Sequence, residues 1–131
     1  MNLRATTTAK HLTVIRGLAA IPLIGIGAQH LLGTAPMLPI LESASIPGAS
    51  LFAWLVPVLE VLTGLGLVVG FHARIQALIA GVIMVTAVYA HLVADWADEP
   101  VIILPVAVLV CLAQVLWGGA GAFSADLAAG E

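Results

Sequence analysis

The chain has 131 residues, 62% of them hydrophobic and only 8% charged, with a mean hydropathy of +1.17. Soluble domains run at about 45–50% apolar and about 25% charged, so this composition excludes an ordinary water-soluble enzyme and describes one integral membrane domain over residues 1–131. The net charge of −3 comes with no basic run for nucleic acid, and a single cysteine, Cys111, excludes an intramolecular disulfide.

Each bilayer crossing needs about 20 apolar residues, and four fit. The first predicted helix covers residues 12–33, after a basic start containing Arg4 and Lys10. Its spanning length, Arg16 near its start and the stop Gly33-Thr34-Ala35-Pro36 read as a retained helix rather than a cleaved leader. Pro22 kinks it by removing a backbone hydrogen bond, and Gly25 and Gly27 allow a neighbouring helix to come close. Residues 34–50 hold Pro36, Pro39, Pro47 and Gly48, too broken for a span and too apolar for a solvated loop. They predict a re-entrant or interfacial cap with Met37, Leu38, Ile40 and Leu41 dipping into the interface, a lid near one mouth of the bundle.

The second helix is predicted over residues 51–70, with Trp54 as an interfacial aromatic and Pro57 one turn before Glu60. The link Phe71-His72-Ala73-Arg74 leads to a third helix over 75–94 and is short enough to make the two antiparallel neighbours. An acidic turn, Asp95-Trp96-Ala97-Asp98-Glu99-Pro100, precedes the fourth helix, over 101–117, which Gly118-Gly119-Ala120-Gly121 stops. Arg4, Lys10, Arg16 and Arg74 fall on one side, while the opposite loops hold Glu42, Asp95, Asp98 and Glu99 and no basic residue. The positive-inside rule therefore predicts both termini cytoplasmic and the proline-rich loop extracytoplasmic. The fold class is all-α: a polytopic four-transmembrane-helix antiparallel bundle.

Glu60 is the residue on which the chemistry turns. An acid at a helix centre costs about 2.5–3.5 kcal/mol to expose to lipid, so it must be neutral, paired or facing a polar cavity. Counting depth along the helices puts Glu60 about 13 Å inward from the outer end of its helix, with His30 and His91 each about one turn deep. The three share the outer half of the bundle. Read functionally, Glu60, His91 and His30 are candidate catalytic groups that exchange protons with a quinone or other lipophilic molecule. Read blandly, the histidines bond to water or backbone at the interface and Glu60 bonds to a helix neighbour. The bland reading is favoured for either histidine taken singly and disfavoured for Glu60, because intramembrane acids are functional by default.

Thr63 and Gly64, one turn below Glu60 on its face, offer a hydroxyl partner and a close helix approach. With Gln29, next to His30, and Trp54 they complete the candidate ligand-binding set. Haem held by His30 and His91 is disfavoured, since two histidines on four helices is a weak signal and no Cys-x-x-Cys-His attachment is present. No metal site is expected. Cys111 and Gln114 share a face with Gly118, with the cysteine read as an inert apolar residue, and Met84 as packing. Arg16 and Arg74 are expected to snorkel to headgroups or pair with Asp126.

The sequence resembles the DoxX and DoxX-like family of small four-helix membrane proteins. The resemblance rests on Arg16, on Gly27-Ala28-Gln29-His30, and above all on PVLEVLTGLGLVVGFHARIQALIAGVIMVTAVYAH with Glu60, Gly64, Gly66, Gly70, Arg74 and His91. The tail with Gly119, Gly121, Ser124 and Asp126 is similar to the family's closing pattern. Many members have lysine in place of His30, and DoxX-like branches often have histidine. The resemblance implies an inner-membrane protein linked, in some members, to thiosulfate:quinone oxidoreduction or to redox and thiol-stress complexes. The leading expectation is thus a membrane subunit that binds a quinone or similar redox partner. It lacks flavin, nucleotide and iron–sulfur motifs, so a partner subunit would supply the electrons. Two other classes stand beside it: a non-catalytic anchor or assembly factor for a redox complex, and a stand-alone acid–base enzyme of isomerase type. The expected partners are the bilayer, a lipophilic small molecule and a redox-enzyme subunit, with a homo-oligomer also compatible.

Overall fold

The structure, a computed structural model, describes residues 6–93 and 102–129. Arg4, the acidic turn and the predicted boundary residues 94 and 101 lie outside the described residues, as do three of the four acids that set the predicted orientation. All regular structure among the described residues is helical: α1 (Lys10–Leu31), α2 (Leu38–Ser43), α3 (Ala49–Val69), α4 (Ala73–Val93), α5 (Ile103–Gly118) and α6 (Ala125–Ala128).

The long helices begin about where the apolar runs do, and local chemistry moves their ends by one or two residues. Gly48 and Gly70 flank α3 with φ of 74° and 71°. At its far end the Gly70 N–H reaches Gly66 O at 2.9 Å and the Phe71 N–H reaches the same oxygen at 3.0 Å. That left-handed glycine stops α3 one residue before the predicted end. The proline-rich segment contains one short helix: Pro39 sits in the first turn of α2, where its missing N–H costs nothing. Leu41 and Ala44 are buried, and Leu38 is exposed.

Among the described residues three helices, α1, α3 and α4, are long and apolar enough to cross a membrane, with mean hydropathies of 1.5, 2.1 and 1.9. The described part of α5 is equally apolar but has 16 residues, about 24 Å at the helical rise, against a hydrocarbon core of about 30 Å. α1 packs most extensively on α3 and α4 on α5, and the α1–α5 and α3–α4 contacts close the ring. The three-residue link between α3 and α4 makes that pair antiparallel. α2 lies over α3 and α4.

The distribution of side chains is that of a protein whose solvent is lipid. The interior combines small residues, among them Ala19, Ala20, Ala73, Ala77, Ala80 and Ala120, each fully buried, with a few larger ones such as Leu23, Leu67 and Leu112. Larger apolar residues such as Ile21, Leu62, Val82 and Val85 face outward. In lipid no hydrophobic force draws leucine inward, so helices associate through small residues that let backbones approach.

Candidate functional site

The α1–α3 crossing places the acid. A Cβ added to Gly27 would lie 2.9 Å from the Glu60 Cβ and 3.0 Å from Pro57 O, and one added to Gly64 would lie 3.2 Å from Ala20 O. The absent side chains at Gly27 and Gly64 let the two backbones approach on either side of Glu60. Glu60 is 3% exposed and faces this seam. Its Oε2 is buried and has no hydrogen-bond partner among the described residues.

Thr63, expected as a hydroxyl partner, is buried but bonds within its own helix. Its Oγ1 donates to Leu59 O at 2.7 Å and has Glu60 O at 3.2 Å. Threonine in a helix readily takes this back-bond, and here it leaves the carboxylate unserved.

Both candidate histidines are half-buried and turn Nδ1 to main-chain carbonyls, His30 to Ala35 O at 2.5 Å and His91 to Ala87 O at 2.7 Å. A carbonyl only accepts, so Nδ1 carries the proton in each ring, and the neutral ring keeps its lone pair on Nε2. Their depths differ. Gly27 beside Glu60 and Gly64 beside Ala20 and Ile24 set the α1–α3 register, and Gly66 beside Gln76 sets that of α3–α4. On these registers His30 lies about 5 Å outward of Glu60 and His91 about 13 Å outward, at 1.5 Å per residue. His30 also follows Gly27 by three residues, on the α1 face that meets α3. Glu60 and His30 therefore form the inner pair, and His91 stands nearer the mouth. Gln29 and Trp54 are exposed, Trp54 at 60%. The Gln29 carbonyl instead closes the end of α1 by accepting the Thr34 and Ala35 N–H groups.

Arg16 departs most from expectation. Instead of snorkelling it is 2% exposed. Its Nη1 donates to Ala120 O at 2.6 Å, and its Nη2 donates to Phe123 O at 3.2 Å and Val68 O at 3.3 Å. Gly70 makes room for the guanidinium, since a Cβ there would collide with Nη1. Asp126 attracts Arg16 through its charge, but the hydrogen bonds of its carboxylate go elsewhere. It is buried and accepts from the His72 and Ala73 N–H groups at 2.7 and 2.8 Å, placing a carboxylate at the N-terminus of α4. Thr13 Oγ1 donates to Ala122 O, and the Asp126 N–H to Gly70 O at 3.0 Å. The tail thus ties α1, α3 and α4 together at one end. Arg74 is half-buried and donates from Nη2 to Trp117 O at 3.0 Å. The signal for this clasp lay in a charge inside an apolar run, a feature that favours burial with partners over exposure. At the same end a surface groove of about 620 Å³ runs between the start of α1 and the end of α5, remote from Glu60.

An all-helical bundle with spanning apolar helices, a small-residue interior and one buried carboxylate at mid-depth defines an integral membrane protein with a polar centre. The DoxX family model matches residues 11–93, and the chain belongs to that family. No curated protein and no solved structure matches the sequence. The match takes in α1 to α4, including His30, Glu60 and His91, and stops before α5 and the tail.

Proposed function

We propose that this DoxX protein is a four-crossing inner-membrane subunit, a single domain with both termini cytoplasmic, which takes a quinone or similar lipophilic redox partner against Glu60. The observation that carries the reading is the Glu60 carboxylate at the α1–α3 seam, with a buried oxygen unserved by any described residue. A buried polar atom without a partner is costly, and a ligand carbonyl or hydroxyl supplies the missing bond. Glu60 exchanges a proton with the bound molecule, His30 relays it from one turn outward, and His91 hands it on at the mouth beneath α2. Thr63 and Gly64 shape the seam, and Gln29 and Trp54 contact the ligand's route from the outer surface. Electrons come from a partner enzyme, because the chain carries no motif for a redox cofactor.

Lipid extraction of the purified protein, followed by mass spectrometry, tests this. A quinone should co-purify with the native chain and be lost from Glu60→Gln, which keeps the shape but not the acid, with expression unchanged. Quinone-linked turnover of the membrane complex should fall in parallel. Equal quinone retention and turnover in both proteins would overturn the assignment and leave the anchoring role.

A further inference from the structure

The groove between α1 and α5 is independent of the Glu60 site. Its floor is Leu12, 5% exposed, brought against Gly118, where an added Cβ would lie 2.7 Å from the leucine Cδ1. Its rims are His11, from the start of α1, and Trp117, 90% exposed at the end of α5. At about 620 Å³ it falls within the roughly 300–1,000 Å³ of clefts that hold small molecules. Both helices that form it are apolar.

Charge selects the occupant. Lys10 is exposed beside His11, and the Arg74 guanidinium is held next to Trp117 through the Trp117 carbonyl. The acid described at this end, Asp126, is buried, with both oxygens taken by main-chain N–H groups. The groove mouth is therefore positive, while its floor and much of its lining are apolar. We propose that it is a binding site for one anionic phospholipid of the bilayer, with an acyl chain along Leu12 and Ala113 and the phosphate between Lys10, His11 and Arg74. A tryptophan at the rim and basic side chains at headgroup level are the features that fix such a lipid.

Native mass spectrometry of the full chain in detergent tests the site, with equal amounts of phosphatidylglycerol and phosphatidylcholine of matched acyl chains. The phosphatidylglycerol adduct should predominate. Ala113→Trp, at an exposed position, should fill the groove and remove the adduct, while Leu65→Trp on another lipid-facing surface should not. Lys10→Gln should cut the preference for the anionic lipid about five-fold and leave the phosphatidylcholine adduct unchanged. Equal adducts of the two lipids, persistence in Ala113→Trp, or a bound polypeptide in place of lipid would each overturn the proposal. Should Ala113→Trp lower the melting temperature, the Lys10→Gln preference decides.

Discussion

Arg16 and Glu60, two of the three charged residues buried among the described ones, are treated differently by the fold. Arg16 has three carbonyl partners drawn from α3 and the tail and leaves only its Nε unserved, whereas Glu60 keeps a buried oxygen that no described residue serves. The first arrangement is a structural one, and the second is the one that the proposed ligand would complete. Arg16→Gln should therefore destabilise the protein by about 1.5–3 kcal/mol, the worth of hydrogen bonds to a charged group. Thermal melting in detergent would show it, and an unchanged transition would mean the carbonyls find other donors. Lysine should not rescue, since a single ammonium cannot reproduce the planar fork. That Glu60 matters was legible from its surroundings in the sequence. The fate of Arg16 was not, because its acceptors lie 104 and 107 residues away and the snorkelling alternative suits any arginine near a helix end.

The helices themselves were legible as apolar runs with glycine and proline punctuation, but their rotation was not. In α3 the inward positions are Pro57, Glu60, Thr63, Gly64 and Leu67, a mixture of small and polar residues, while leucines and valines cover the outside. An amphipathic search for an apolar inner face points the wrong way in such a helix. The useful stripe is one of small residues at helical spacing. Gly27 is its counterpart on α1. Gly27→Ala should force the backbones apart at Pro57 O and the Glu60 Cβ, costing about 1–3 kcal/mol by overpacking. It should also weaken ligand retention at Glu60. Gly64→Ala should cost more, because an added Cβ there meets the Ile24 Cγ1 at 2.6 Å, and that atom sits on a β-branched side chain that is stiff at χ1. Comparing the two melting temperatures checks the order. An equal loss would place the two contacts on the same footing. The break between α1 and α3 was foreseeable from its prolines, and Leu41 and Ala44 enter the interior there.

At the scale of the whole molecule, the ring of α1, α3, α4 and α5 is fastened at the Arg16 end by the tail and covered at the other by α2. Asp126→Ala should remove the carboxylate from the start of α4, at a cost of about 0.5–2 kcal/mol, the range for helix caps. Hydrogen exchange should accelerate around residues 70–76 and 119–127 while the Glu60 region keeps its protection. Uniform acceleration would show that the clasp governs the whole bundle. The clasp also bears on the order in which the chain is made. Ala120 and Phe123, which supply two of the carbonyls for Arg16, are synthesised 104 and 107 residues after it. Until then the guanidinium must stay among headgroups or be held by the insertion machinery. The first helix therefore enters the bilayer in a provisional position, and it settles to its final depth when the end of the chain folds back against it.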